Sequence, residues 1–202
     1  MPRANQILRN GRKAVGDLNL LMVLRSEISH ELSNSFQDEQ SGSLGDFVMD
    51  WNSSQSQDVV LRRKGESGEE VAVSALLSQG SHYMEGIFPR EALMKVCVKK
   101  PGLSSILQFH CGVFKKGAHR SDFNIHGAYH LQSMTIPSYS VYRGPSFSTL
   151  DPQVQDELKK CLVSRGIGED LTNFLVLTLH KKEEARYLDW LRKLKSFVEK
   201  DE

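Results

Sequence analysis

Cysteines, histidines and runs of cations are the side chains of this sequence best suited to chemistry. Cys97, Cys111 and Cys161 lack the paired spacing of a zinc or redox motif; Cys111 reads as a small core hydrophobe and Cys161 as a helix residue. His126 and His130 lie four apart in an alternating run. On an extended strand they share a face but stand about 13 Å apart. A zinc ion needs each nitrogen at about 2 Å. Solvent-facing histidines are therefore expected, and no metal. Gly112 and Gly117 have the spacing of a phosphate-binding loop, but Ala118-His119 replaces the required Lys-Ser/Thr. Asn52-Ser53-Ser54 is a glycosylation triplet, meaningful only in a secreted chain. With no nucleophile–base pair and no metal constellation, no catalytic residue, cofactor or enzymatic activity is expected.

The cations form the other candidate. Arg62-Arg63-Lys64, Lys99-Lys100 and Lys115-Lys116 sit beside turn signals. On neighbouring hairpin ends, Arg62, Arg63, Lys64, Lys115 and Lys116 would make a basic patch for RNA, ribosome components or phospholipid headgroups. No aromatic-rich RNA-binding signature accompanies them. Solvated loop tips, or contacts to acidic residues elsewhere in the chain, compete with that reading. Charge is indeed unevenly placed. Residues 1–16 carry +4, residues 17–58 carry −7, residues 59–150 carry +5 and the rest −1, for the total of +1. Blocks of opposite sign can meet within one molecule or across subunits.

Composition bounds the rest. The 202 residues, 39% hydrophobic and 25% charged, suffice for one good-sized domain or two small ones with a real core. No run of eighteen apolar residues exists, so no integral membrane contact is expected. Three cysteines are too few for a disulfide framework and point to reduced thiols. Residues 1–16, acid-free and Arg-containing, read as a basic N-terminal arm or the remnant of a mitochondrial presequence; residues 17–202 read as a single domain.

The elements that must position these side chains follow from periodicity. Asp17 is a reasonable helix cap, and Leu21, Leu24, Ile28, Leu32 and Phe36 form one stripe after it. Residues 37–45 read as a linker. From about Asp46 to Tyr142 the pattern is period 2, interrupted at Gly65–Gly68, Pro101-Gly102 and Lys116-Gly117. Met94, Val96 and Val98 make one stripe; Leu107, Phe109, Cys111 and Val113 a second; Phe123, Ile125, Tyr129 and Leu131 a third. That predicts an antiparallel sheet of about seven strands. Asp151-Pro152 starts a helix that should stop at Gly166. A last helix runs from about Glu169 to Lys200, with Tyr187, Trp190, Leu191, Leu194, Phe197 and Val198 on one face. The class is α+β, with the first and last helices pairing in coiled-coil fashion to hide both stripes.

The C-terminal third is also recognisable. Tyr142-Arg-Gly-Pro-Ser-Phe-Ser-Thr-Leu-Asp151, the helix end Ser164-Arg-Gly-Ile167, and the stretch from Tyr187-Leu-Asp-Trp-Leu191 to Phe197-Val198 resemble the mitochondrial glycoprotein family. That family is also called the mitochondrial acidic matrix protein family. It includes a relative named for binding the globular heads of a complement component, and this chain is similar to its plant-like members. Upstream, Lys100-Pro-Gly and Leu107-Gln-Phe-His-Cys111 resemble the family's turn and strand. The resemblance implies a strongly twisted seven-stranded antiparallel sheet with one N-terminal and two C-terminal helices, closed as a doughnut-shaped homotrimer. It also implies a non-enzymatic, multi-partner, chaperone-like protein of the mitochondrial matrix, supporting mitochondrial gene expression, ribosome function and oxidative phosphorylation. Residence in the cytosol or nucleus is the alternative. The family's strong acidity is missing, since residues 17–202 together carry only −3.

Two function classes follow. The first is a homotrimeric binding protein of the matrix, whose helix-pairing core is Leu21, Leu24, Ile28 and Leu32 against Tyr187, Trp190, Leu191, Leu194 and Val198. The second is an RNA-binding accessory protein acting through the basic patch.

Overall fold

The computed structural model describes residues 2–33, 42–53, 56–78, 92–116, 120–132 and 142–199, with side chains described from Asp17 onward. Alternation builds six strands: β1 (Val48–Trp51), β2 (Val59–Lys64), β3 (Glu70–Leu77), β4 (Ala92–Lys99), β5 (Ile106–Lys115) and β6 (Ser121–Leu131). They form one antiparallel meander in sequence order. About seven strands were expected; six are present among the described residues. The expected period-2 region also includes 79–91 and 133–141, which lie outside those residues.

One face of the sheet is apolar throughout. Val59 and Leu61, Val71 and Val73, Met94, Val96 and Val98, Phe109, Cys111 and Val113, and Phe123 and Ile125 are all buried there. Leu162, Leu171, Leu175 and Leu179 from helices α2 (Pro152–Val163) and α3 (Glu169–Glu199), with Ile167 from the turn between them, complete the same core. Each such large side chain stabilises the fold by roughly 1.5–3 kcal/mol relative to exposure.

The third stripe is corrected by a bulge. Phe109 faces Ala128 and His110 faces Gly127, but Cys111 faces Ile125, so His126 is the extra residue on β6. One inserted residue reverses every later side chain. Phe123 and Ile125 stay in the core, Ala128 takes the next core position, and Tyr129 and Leu131 move to the opposite face.

Helix α2 begins and ends as its sequence dictates. The Asp151 carboxylate accepts from the Gln153 N–H at 2.8 Å, and Pro152 occupies the first turn, where its missing N–H costs nothing. At the other end the Gly166 N–H donates to Val163 O and the Ile167 N–H to Leu162 O. This Schellman closure needs a left-handed residue, and Gly166 supplies it at φ 82°. Ile167 and Leu162, both fully buried, then pack across the cap.

Helix α1 spans Pro2–Ser33, so Asp17 is not its cap. Residues 2–16 form its first turns. Ala4, Gln6, Leu8, Arg9, Arg12, Lys13 and Ala14 are good helix formers and continue smoothly into the Leu21 stripe.

The chain divides into two compact units. One contains Met1–Gln37 with Lys181–Glu202; the other contains Asp38–His180. Helix α3, about 46 Å long, contributes residues to both.

Candidate functional site

In the helical unit, the C-terminal half of α3 pairs with α1. Leu21, Leu24 and Leu191 are buried, and Ile28, Tyr187, Leu194 and Val198 are half-buried. Arg25 donates to Glu199 at 3.1 Å and the Tyr187 hydroxyl to Glu27 at 3.1 Å. Both bonds tie the later turns of α1 to the C-terminal half of α3. Burial, then the Glu27 carboxylate, raises the Tyr187 phenol above its ordinary value. Two of the residues expected in the helix-pairing or oligomer core are exposed in the single chain: Leu32 at 52% and Trp190 at 53%. Leu32 stands one turn past Ile28, a residue from the end of α1. Trp190 is rotated about 100° from Leu191 and stacks outside on Tyr187, with centroids 6.0 Å apart. Leu18, Met22, Val23 and Phe197 are exposed as well.

The cations in the sheet unit do not converge. A meander alternates direction at every turn, so Arg62, Arg63 and Lys64 share the end of β2 with Lys99 at the end of β4. Lys115 and Lys116 lie at the opposite end, about 26 Å away along an eight-residue strand. The single basic patch is therefore divided in two. Acids from the negative block meet the first half: Arg62 Nε lies 2.6 Å from Asp50 and Arg63 3.3 Å from Asp46. Lys64, Glu70 and Lys99 stand in register across three strands as a ladder of alternating charge. At the other end Lys116 is 3.9 Å from Asp122, and Arg120 makes a two-pronged pair with Glu169. The charge blocks meet within the chain.

Side chains that suggested other chemistry are absorbed by structure. Among the described residues no three His, Cys, Asp or Glu side chains gather as a metal site. His126 and His130 are exposed on β6. Cys111 is buried, which pushes its thiol up to about 12 and leaves it inert. Gly112 lies inside β5, where no phosphate loop exists. Cys161 is on α2 and receives Arg165 Nη1 at 2.9 Å; the same guanidinium forks onto Glu69 with two 2.9 Å bonds. Clefts among the described residues include two open ones. One of about 300 Å³ has Phe47, Arg63 and Leu171 on its walls, and one of about 440 Å³ has His126, Phe147 and Lys159. Neither cleft holds a convergent set of reactive groups.

A polar cluster on the outer sheet face was not anticipated. Arg62, Ala72, Cys97, Gln108 and Tyr129 form one cross-strand row; Ser74, Lys95, His110 and Gly127 form the next. Gln108 Nε2 lies 2.8 Å from His110 Nε2, and the Cys97 thiol points to Gln108 Oε1 at 3.8 Å. Tyr129 meets His110 edge-on at 4.9 Å. Its ring folds over Gly127, where a Cβ would come within 2.4 Å of the phenol oxygen, so any larger residue would push the ring aside. Strict alternation hid this cluster, because the bulge at His126 is what brings Tyr129 to that face.

Similarity to known proteins agrees with this architecture. The model of the mitochondrial glycoprotein family, MAM33, matches residues 90–198, more than half of the chain. The chain belongs to that family. A curated member, the mitochondrial acidic protein mam33 of Schizosaccharomyces pombe, is 30% identical over 129 residues, which is 56% of this chain and 46% of the relative. The chain thus spans about half the length of the curated relative it matches. The crystal structure of the Trypanosoma brucei p22 protein superposes with a TM-score of 0.69 at 20% identity, covering 91% of this chain and 99% of that one. A Leishmania major protein of unknown function, described as a sequence homologue of human p32, superposes with a TM-score of 0.71 at 18% identity and the same coverage. These structures share the family fold: an antiparallel sheet with one helix before it and helices after it.

Proposed function

We propose that this member of the mitochondrial glycoprotein family is a non-enzymatic, multi-partner binding or chaperone-like protein of the mitochondrial matrix. It acts as a homotrimer and supports mitochondrial gene expression, ribosome function and oxidative phosphorylation. The observation that carries the reading is the family match over 90–198 on a fold shared with p32-like proteins. A further observation supports it. The helical unit leaves Leu18, Met22, Val23, Trp190 and Phe197 exposed, apolar surface that subunit contacts would cover.

Size-exclusion chromatography with light scattering tests the assembly. Three 22.8 kDa chains give 68.4 kDa. A trimer supports the proposal and leads to capture of partners from mitochondrial extract; a stable monomer overturns the ring. The RNA-binding alternative has less behind it, since the cations divide between two sheet ends and Arg62, Arg63 and Lys116 each face a carboxylate. Salt-sensitive RNA binding by the same sample would revive it.

A further inference from the structure

The outer-face cluster has a property that the binding function does not require. A primary amide has one donating end and one accepting end, and Gln108 spans two groups that titrate. Its Nε2 can only donate, so His110 Nε2 accepts at 2.8 Å and the neutral ring carries its proton on Nδ1. Its Oε1 therefore faces Cys97 and accepts from the thiol. While that orientation holds, the thiol is stabilised in its protonated form.

A proton on His110 reverses the requirement. Its Nε2–H then needs an acceptor, and the amide's NH₂ end would oppose it donor to donor. Turning Gln108 end for end supplies Oε1 to the imidazolium and delivers the NH₂ to the Cys97 sulfur. A sulfur facing N–H donors is favoured as thiolate.

We propose that His110, Gln108 and Cys97 form a proton-gated thiol, in which protonation of His110 rotates the Gln108 amide and makes Cys97 the better nucleophile. The surroundings fit such a relay. Burial, then the Lys95 ammonium on the neighbouring strand, holds His110 below its ordinary value. Burial raises the Cys97 thiol and Lys95 opposes that rise. Among the described residues, Tyr129 from β6 also lies against the ring and meets the imidazole edge-on. Further along the Cys97 row stands Arg62, held by Asp50, and the adjacent row holds Glu70 in register with Lys64 and Lys99. His126, at the bulge beside Gly127, is exposed.

The test is alkylation of the full-length folded chain by iodoacetamide between pH 5 and 9, read peptide by peptide by mass spectrometry. Thiolate sulfur forms the S–C bond and iodide leaves, so the rate follows the thiolate fraction. Cys161 is the internal reference, because its neighbour Arg165 keeps its charge throughout. An isolated thiol loses tenfold in rate per pH unit on the acid side. Cys97 should instead depart upward through the His110 titration, by about fivefold relative to Cys161, the size of one strengthened hydrogen bond. His110→Gln should abolish that shoulder. Gln108→Leu keeps the imidazole but cuts the relay, and should abolish most of it. Continued protection of Cys111 reports that each variant is folded. A wild-type profile parallel to that of Cys161 overturns the proposal. So does a full shoulder in Gln108→Leu, because charge acting through space would then suffice.

Discussion

The sheet unit and the helical unit solve the burial problem in different ways. In the sheet unit, Phe47 to Leu179 supply more than twenty buried apolar side chains among the described residues, many of them with no exposed surface at all. In the helical unit only Leu21, Leu24 and Leu191 are buried among the described side chains, while Leu18, Met22, Val23, Trp190 and Phe197 stay in solvent. A core of the first kind stabilises itself; a seam of three leucines is small for that task. The difference lies in where the apolar surface goes. The sheet unit buries its own, whereas the helical unit leaves apolar surface that the proposed trimer would cover.

The two tryptophans allow the contrast to be tested region by region, because Trp51 lies on β1 and Trp190 on the helix pair. The largest effect should come from the sheet. Phe109 is fully buried between Val96 and Ala128 in the ladder. Phe109→Ala should lower stability by about 3–5 kcal/mol. In a Trp190→Phe background, the fall appears as an earlier urea midpoint of Trp51 fluorescence. A loss below about 1 kcal/mol would mean that the site collapses around the cavity, and the sheet core would no longer be the stronger region.

Leu191→Asp strikes the weaker region. It places a charge on a residue 3% exposed, buried in the helical unit as Leu21 and Leu24 are, and should cost several kcal/mol. Helical circular dichroism and the mass by light scattering should both drop, and the trimer should be lost. In a Trp51→Phe background the Trp190 transition should disappear, while Trp51 in the complementary background keeps its midpoint. Equal shifts of both reporters would join the two regions into one cooperative unit and break the comparison. A normal trimer would remove the helix pair from the assembly.

How far this contrast was legible in the sequence depended on the range of the interaction. The α2 boundaries were readable because Asp151, Pro152 and Gly166 act through bonds within a few residues. The stripe Met94–Val96–Val98 was readable because β4 has no interruption. Tyr129 was misplaced because a bulge depends on the partner strand as much as on His126 itself. The basic residues were grouped by kind and by turn signals, but only strand direction determines which hairpin ends are neighbours. Leu191 was readable as core, whereas Trp190 was not separable from it: a wide apolar stripe says that a face is buried without saying where its edge falls. The relay through Gln108 left no mark in the sequence beyond Cys97, Gln108 and His110 occurring on adjacent period-2 runs.

The smallest effect distinguishes ionic from apolar support within the sheet unit. Asp122 is partly buried, which alone would raise its carboxyl. The Phe123 N–H at 2.8 Å, Lys159 at 3.2 Å and Lys116 at 3.9 Å outweigh that, and the group titrates below its usual range. A carboxyl that is more acidic folded than unfolded contributes stability above its unfolded value, and that contribution disappears as pH falls through the folded value. Wild type should therefore lose this increment on acidification below about pH 4. Asp122→Asn, which keeps an acceptor but has no charge to lose, should start lower at neutral pH and show a flatter acid limb. The gap should be under about 1 kcal/mol, because the pair is partly screened by solvent. Urea midpoints read from Trp51 at pH 7 and pH 3.5 measure it. Convergence of the two proteins at low pH is the expected result. A gap that persists at pH 3.5 would mean that Asp122 acts through the shape of its bond to Phe123 rather than through its charge, leaving the sheet unit to its apolar core alone.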